Sequence, residues 1–172
     1  EYQSQHAWTW EHQALTRARW CAGDEAIRDK FDRIRAEILR RQRDPAELRR
    51  AITEMREKIH AAHPNKSGLF DIKHDRGGIV DIEFAVQYLV LLHAREHAEL
   101  LENRGNIYLL QLAERLGLLP NGVGERAAGA YREFRRLQHA QRLKGERYAR
   151  VAPEVIEDQR SAALALSDTV LE

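Results

Sequence analysis

Residues 77–92 read GGIVDIEFAVQYLVLL, and this stretch decides the fold class. When its residues are placed at 100° intervals around a helix, apolar side chains point in every direction. A helix that is hydrophobic on all sides is buried on all sides. The stretch therefore predicts a central helix over about residues 79–97, enclosed by other helices.

Three polar side chains interrupt this helix: Asp81, Glu83 and Gln87. A carboxylate in apolar surroundings needs a partner. If Gly78 caps the helix, Asp81 lies near its third position, where the helix dipole favours a negative charge; Asp81 is also a candidate for a buried ion pair. Glu83 lies about 160° away around the axis, so a regular helix does not let both carboxylates bind one metal ion. Glu83 is either half of a buried ion pair or a contact to a group outside the chain.

A first helix is predicted over about residues 7–21. Glu11 falls inside its apolar arc, and we expect it to pair with an arginine or lysine of a neighbouring helix. Arg17 and Arg19 lie towards the edges of that arc. With Asp81, these three residues are the candidates for buried ion pairs.

Helical spacing continues through most of the chain. Asp44 and Pro45 form a typical helix start, and a second helix follows Asp24. Both helices carry regular apolar stripes, and Ile27 and Ile34 lie on the stripe of the helix after Asp24. The stripes predict that the two helices pack as an antiparallel pair that buries these side chains. Further helices are expected over about 106–116, 124–144 and 154–171, with a short extended piece at 70–72. The predicted fold is all-α, a bundle of six to seven helices forming one domain over residues 1–172.

The loop before the central helix contains a possible anion site formed by Lys73, Arg76, Gly77 and Gly78. Two glycines allow close approach of the backbone, and free N–H groups at a helix start attract anions when cations lie nearby. The alternative is a tight turn that only docks the central helix. These four residues and Glu83 are the candidates for contact with a nucleotide or with another domain.

Composition limits the possible functions. Lys+Arg (28) and Asp+Glu (27) nearly balance, which argues against a nucleic-acid-binding protein. The sequence contains no stretch of 18 apolar residues, so no membrane span is predicted. The single cysteine, Cys21, suits a reducing compartment such as the cytoplasm. Because the chain begins at Glu1 without methionine, we expect it to be part of a longer protein.

No self-sufficient active site is predicted. Residues 93–97 read HAREH, but they lie in the polar last turns of a helix, where cationic side chains complement the dipole, and no third ligand is evident. We therefore assign no metal site. P-loop and nucleophile-elbow patterns are also absent, so no catalytic residue is assigned to the chain.

Three segments together resemble the glutamine synthetase adenylyltransferase family. They are WTWEHQALTRAR at 8–19, MREK at 55–58 and FDIKHDRGGIVDIEFAVQYL at 70–89. In that family, two homologous halves each hold a nucleotidyltransferase domain followed by a helical domain, and this chain is similar to a helical domain. GGIVDIEF with WEHQ resembles the C-terminal, adenylylating half, whereas the other half typically reads GGIREIEF.

The resemblance implies a parent enzyme that transfers AMP from ATP to a tyrosine of glutamine synthetase, with magnesium, under the control of a PII signalling protein and glutamine. The Gly-Ser and Asp-x-Asp signature that holds the metals in such enzymes is missing. Ser67 and Gly68 stand in reverse order, and Lys73 occupies the place of the second carboxylate. No cofactor is therefore expected on this chain itself.

The resulting functional hypothesis is a helical accessory domain that packs on a nucleotidyltransferase domain and supports adenylylation. The alternative is a regulatory module that contacts the PII protein or glutamine synthetase and has no direct role at the active site. In that alternative the loop at 73–78 is purely structural.

Overall fold

The computed structural model describes residues 2–172, and helices dominate that part of the chain. After a single turn, α1 (Tyr2–Gln5), come seven longer helices, which confirms the predicted all-α bundle: α2 (Thr9–Arg17), α3 (Glu25–Leu39), α4 (Pro45–Ala62), α5 (Ile79–His93), α6 (Asn106–Arg115), α7 (Val123–Leu143) and α8 (Glu157–Leu171). Short 3₁₀ helices cover Ala98–Leu101 and Pro153–Val155. Strand β1 (Phe70–Asp71) pairs antiparallel with β2 (Arg150–Val151).

Helix α5 forms the centre of the bundle, as its composition predicted. Helices α2, α4, α6, α7 and α8 all pack against it, and Ile82 and Ala85 are completely buried. The helix ends at His93, four residues before the predicted end. The chain leaves the helix there, and the following 3₁₀ helix buries Leu100 in the core.

Two helix starts were predicted correctly from their capping residues. The Asp24 carboxylate accepts a hydrogen bond from the Ala26 N–H at 2.7 Å, and the Asp44 carboxylate accepts one from the Glu47 N–H at 2.8 Å. Each bond satisfies an N–H group that has no partner within its helix. These local interactions are encoded within four residues of sequence.

The N-terminal part differs from the prediction. Helix α2 is shorter than the expected 7–21, because Arg35 of α3 donates to the main-chain oxygens of Leu15 and Thr16 at its end. The backbone becomes extended at Ala18. The predicted antiparallel pairing of α3 with α4 is wrong, since α3 packs mainly on α2.

The contact between α6 and α7 depends on a glycine. A Cβ atom at Gly124 would lie 2.5 Å from the Leu110 main-chain oxygen, whereas a Cβ atom at Gly129, on the same helix, would have open space within 4 Å. Gly124→Ala is therefore expected to lower the free energy of unfolding by about 1–2 kcal/mol. Gly129→Ala is expected to raise it by about 0.5–1 kcal/mol, because alanine favours the helical backbone.

Urea denaturation of both variants measures this difference. The two substitutions make the same chemical change on one helix, but they are expected to change the free energy of unfolding in opposite directions. Equal destabilisation by the two substitutions would contradict the close approach of α6 and α7 at Gly124.

Candidate functional site

The glycine doublet before α5 is packed against its own chain. Both glycines are buried, and Gly77 has φ +85°, in the left-handed region. A Cβ atom at Gly78 would lie 2.6 Å from the Ile72 main-chain oxygen, and one at Gly77 would lie 2.7 Å from Cγ of Arg160 on α8. The doublet therefore docks the central helix onto its loop and onto α8.

The N–H groups at the start of α5 are also occupied. The Gly77 N–H donates to the Asp81 carboxylate, the Gly78 N–H to the Asp75 oxygen, the Ile79 N–H to the Ile72 oxygen and the Val80 N–H to the Lys73 oxygen. Donors expected to bind an anion are thus used within the protein. The tight turn, which was the alternative interpretation, accounts for this geometry.

Asp81 lies in a buried ion pair with Arg56 of α4. Its Oδ1 accepts from Arg56 Nε, and both side chains are only 7% exposed. The same guanidinium donates to the main-chain oxygens of His74 and Asp75 at 3.0 and 3.3 Å. Arg56 therefore joins α4, the loop and α5 through one side chain.

Arg56 was not predicted from the sequence as the partner of Asp81. A signal was present, because Arg56 follows Ile52 by four residues and so lies on the apolar face of α4. Only 5% of Arg56 is exposed. An arginine in an apolar stripe indicates a buried counter-charge elsewhere in the fold.

Lys73 and Arg76 lie on the exposed side of this loop. Arg76 forms a surface ion pair with Glu57 at 2.6 Å. The Asp71 carboxylate beneath them accepts from the Lys73 and His74 N–H groups, both at 3.0 Å. The loop thus holds the backbone of Lys73 while its cationic side chain faces outward.

Glu83 lies on a different side of α5, away from Asp81. Its Oε1 accepts from the Arg17 guanidinium at 2.6 Å and from the Tyr131 hydroxyl at 2.9 Å. Burial lowers the pKa of Arg17, whereas the charge and the hydrogen bond of the Glu83 carboxylate raise it. The net result is that the pKa of Arg17 lies above its ordinary value. Burial and the Glu83 charge raise the pKa of Tyr131. Glu83 therefore forms an ion pair within the chain, but the pair is not buried as expected, because the Arg17 side chain is 52% exposed at the edge of the bundle.

Glu11 and Arg19 do not occupy the expected ion pairs. The Glu11 carboxylate accepts from the Trp8 N–H at 2.8 Å and from the Tyr2 hydroxyl at 2.9 Å. It therefore caps α2, because its position in the first turn lets it reach back to the helix start. Arg19 is exposed and has no ion-pair partner among residues 2–172.

A cleft of about 510 Å³ opens next to the Arg17–Glu83 pair. Arg17, Arg19, Arg104 and Arg135 all line it. Arg104 and Arg135 were not predicted as site residues, because the cleft joins four segments that are distant in sequence. Arg104–Gly105 directly precedes α6. A cation and a glycine before a helix are therefore the sequence signal that could have indicated this site.

No group of three or more side chains that could hold a metal ion occurs among residues 2–172. None of the helices in that range is both long and apolar enough to cross a membrane.

Comparison with known proteins identifies the family. The family model described as GlnD PII-uridylyltransferase matches residues 46–167, and the model described as glutamate-ammonia ligase adenylyltransferase matches residues 1–34. A bifunctional glutamine synthetase adenylyltransferase/adenylyl-removing enzyme of Bordetella bronchiseptica is 54% identical over 172 residues, which is 100% of this chain and 18% of that protein. The chain belongs to the glutamine synthetase adenylyltransferase family.

Other adenylyltransferases of the same description are similarly related. The one from Burkholderia pseudomallei is 55% identical over 160 residues, 93% of this chain and 17% of its own length. The one from Nitrosomonas europaea is 46% identical over 184 aligned residues, 99% of this chain and 20% of its own length. The chain spans about a fifth of the length of the curated relatives it matches. The resemblance recognised in the sequence is thereby confirmed.

Proposed function

We propose that this chain is the helical accessory domain of the adenylylating half of a cytoplasmic glutamine synthetase adenylyltransferase. In this proposal the parent enzyme transfers AMP from ATP to a tyrosine of glutamine synthetase, uses magnesium and regulates nitrogen assimilation. The observation that carries the proposal is 54% identity over all 172 residues to an enzyme of that name. Since the chain lacks the Gly-Ser and Asp-x-Asp signature, the catalytic carboxylates would belong to the nucleotidyltransferase domain of the parent.

The outward face of the loop supports a role next to that domain. Lys73 projects from a backbone that Asp71 fixes, and Arg76 lies on the same loop. AMP transfer depends on positioning phosphates and neutralising their charge, as in related phosphoryl-transfer reactions. A rigidly placed lysine would contribute to both at the edge of a docked nucleotidyltransferase domain.

Lys73→Ala in the intact parent tests this role. We expect the rate of adenylylation to fall roughly tenfold or more, the effect of losing one charge-assisted contact. Thermal stability should not change, because the Lys73 side chain contacts solvent. Lys66→Ala, at an exposed lysine of the same loop, is the matched control and should retain full activity. Equal rates for the two variants would remove Lys73 from the proposed role.

A regulatory interaction module is the second candidate, and exposed apolar side chains on α3 favour it. Ile27 is 63% exposed and Ile34 is 41% exposed, although their spacing predicted burial. The partner would be the PII protein or glutamine synthetase. Pull-down of the 172-residue chain against each protein discriminates the two candidates, because capture that does not depend on nucleotide supports the module.

A further inference from the structure

The arginine cleft is bounded by four parts of the bundle. Arg17 and Arg19 come from the end of α2 and the segment after it, Arg104 from the loop before α6, and Arg135 from α7. Val86 of α5 adds an apolar wall. A volume of about 510 Å³ is within the range of small-molecule sites, which typically combine apolar walls with a few converging polar groups.

The charge of the cleft is positive. Four arginines line it, and no aspartate or glutamate is among its described lining residues. Arg17 is neutralised by Glu83, and Arg104 lies 3.7 Å from Glu102 on the rim. The described partners of Arg135 are neutral or weakly basic side chains, Gln138 and His139, and Arg19 adds a further uncompensated charge.

Polar donors reinforce this charge. Helix α6 begins at the cleft after Gly105, without a capping side chain and without an acidic residue in its first turn. The N–H groups of such a turn carry the positive end of the helix dipole. Asn106, only 8% exposed, also lines the cleft, whereas the hydroxyl of Tyr131, another lining residue, donates its proton to Glu83. Glu83 is a positioning residue here, because it holds both Arg17 and Tyr131.

We propose that this cleft binds the phosphate chain of a small molecule. Guanidinium groups pair with phosphate oxygens through two parallel hydrogen bonds, which favours phosphate over a spherical anion. At least two arginines remain uncompensated by carboxylates, so a ligand with two or more phosphate groups fits better than a single monoanion. This inference concerns the chain itself and does not depend on the proposed adenylylation role.

Calorimetric titration of the 172-residue chain with tripolyphosphate tests the proposal. We expect saturable binding with one site per chain, weakened at least tenfold by Arg19→Gln combined with Arg135→Gln. The matched control combines Arg33→Gln with Arg132→Gln, two exposed arginines outside the cleft. The control removes the same net charge and should bind like the unmodified chain. Far-UV circular dichroism establishes that both double variants are folded.

Two further titrations define the ligand. Citrate has a comparable negative charge and should bind at least tenfold more weakly than tripolyphosphate. Tighter binding of ATP than of tripolyphosphate would assign the source of the phosphate chain to a nucleotide, and equal binding would assign it to an inorganic chain. Absence of saturable binding, equal weakening by the control variant or equal affinity for citrate would overturn the proposal.

Discussion

Arg56→Met is expected to lower the free energy of unfolding by about 3–5 kcal/mol, the effect of leaving one member of a buried ion pair without its partner. The Asp81 carboxylate would remain 7% exposed, with the Gly77 N–H as its remaining donor among the described residues. The main-chain oxygens of His74 and Asp75 would also lose the guanidinium that binds them. Urea denaturation followed by circular dichroism measures the loss.

Two further variants separate the ion pair from general effects of substitution. Arg50→Met changes an exposed arginine of the same helix and should alter stability by no more than about 0.5 kcal/mol. Arg56→Met combined with Asp81→Leu removes both charges and should recover part of the loss. Recovery should stay incomplete, because the buried Gly77 N–H loses its acceptor. A loss for Arg56→Met no larger than that for Arg50→Met would contradict the buried pair.

Gly78→Ala is expected to destabilise the protein by about 2–3 kcal/mol, the upper part of the range for overpacking. The added methyl group would lie 2.6 Å from the Ile72 oxygen and 2.9 Å from the Asp75 oxygen. Both oxygens already accept hydrogen bonds from this turn, so neither can move without breaking one. Because Gly78 has φ −97°, backbone strain does not contribute.

Gly68→Ala, ten residues earlier in the same loop, is the control for this variant. Gly68 has φ +72° and open space around a Cβ atom, so the expected loss is about 1 kcal/mol, from the left-handed backbone alone. Differential scanning calorimetry of both variants compares the loss caused by close packing at Gly78 with the loss caused by the left-handed backbone at Gly68. A smaller effect at Gly78 than at Gly68 would show that the doublet is not closely packed against the loop.

Features determined by nearby residues were predictable from sequence. Caps at Asp24 and Asp44 act within three residues, and the all-round hydrophobicity of 79–92 placed α5 at the centre. The early end of α2 was not predictable, because Arg35 terminates it from another helix. Ile27 and Ile34 followed the expected spacing, yet periodicity does not reveal whether a neighbour covers that face.

The acidic residues of α5 show the same limit. The sequence indicated that Asp81 and Glu83 need partners, and helical periodicity placed the two residues on different sides of the helix. Their actual partners come from α4 for Asp81 and from α2 and α7 for Glu83, and such pairings require the tertiary arrangement. The free N–H groups expected before α5 are likewise occupied because the loop folds back on itself.

The proposed function depends most on docking of the outward face formed by Lys73 and Arg76 onto the nucleotidyltransferase domain. Amide hydrogen exchange of peptides covering this loop, compared between the 172-residue chain and the intact parent, tests it most directly. Peptides from α5, buried in both, serve as the internal reference. We predict slower exchange around Lys73 and Arg76 in the parent. Identical exchange in the loop, with identical exchange in α5, would contradict docking at this face.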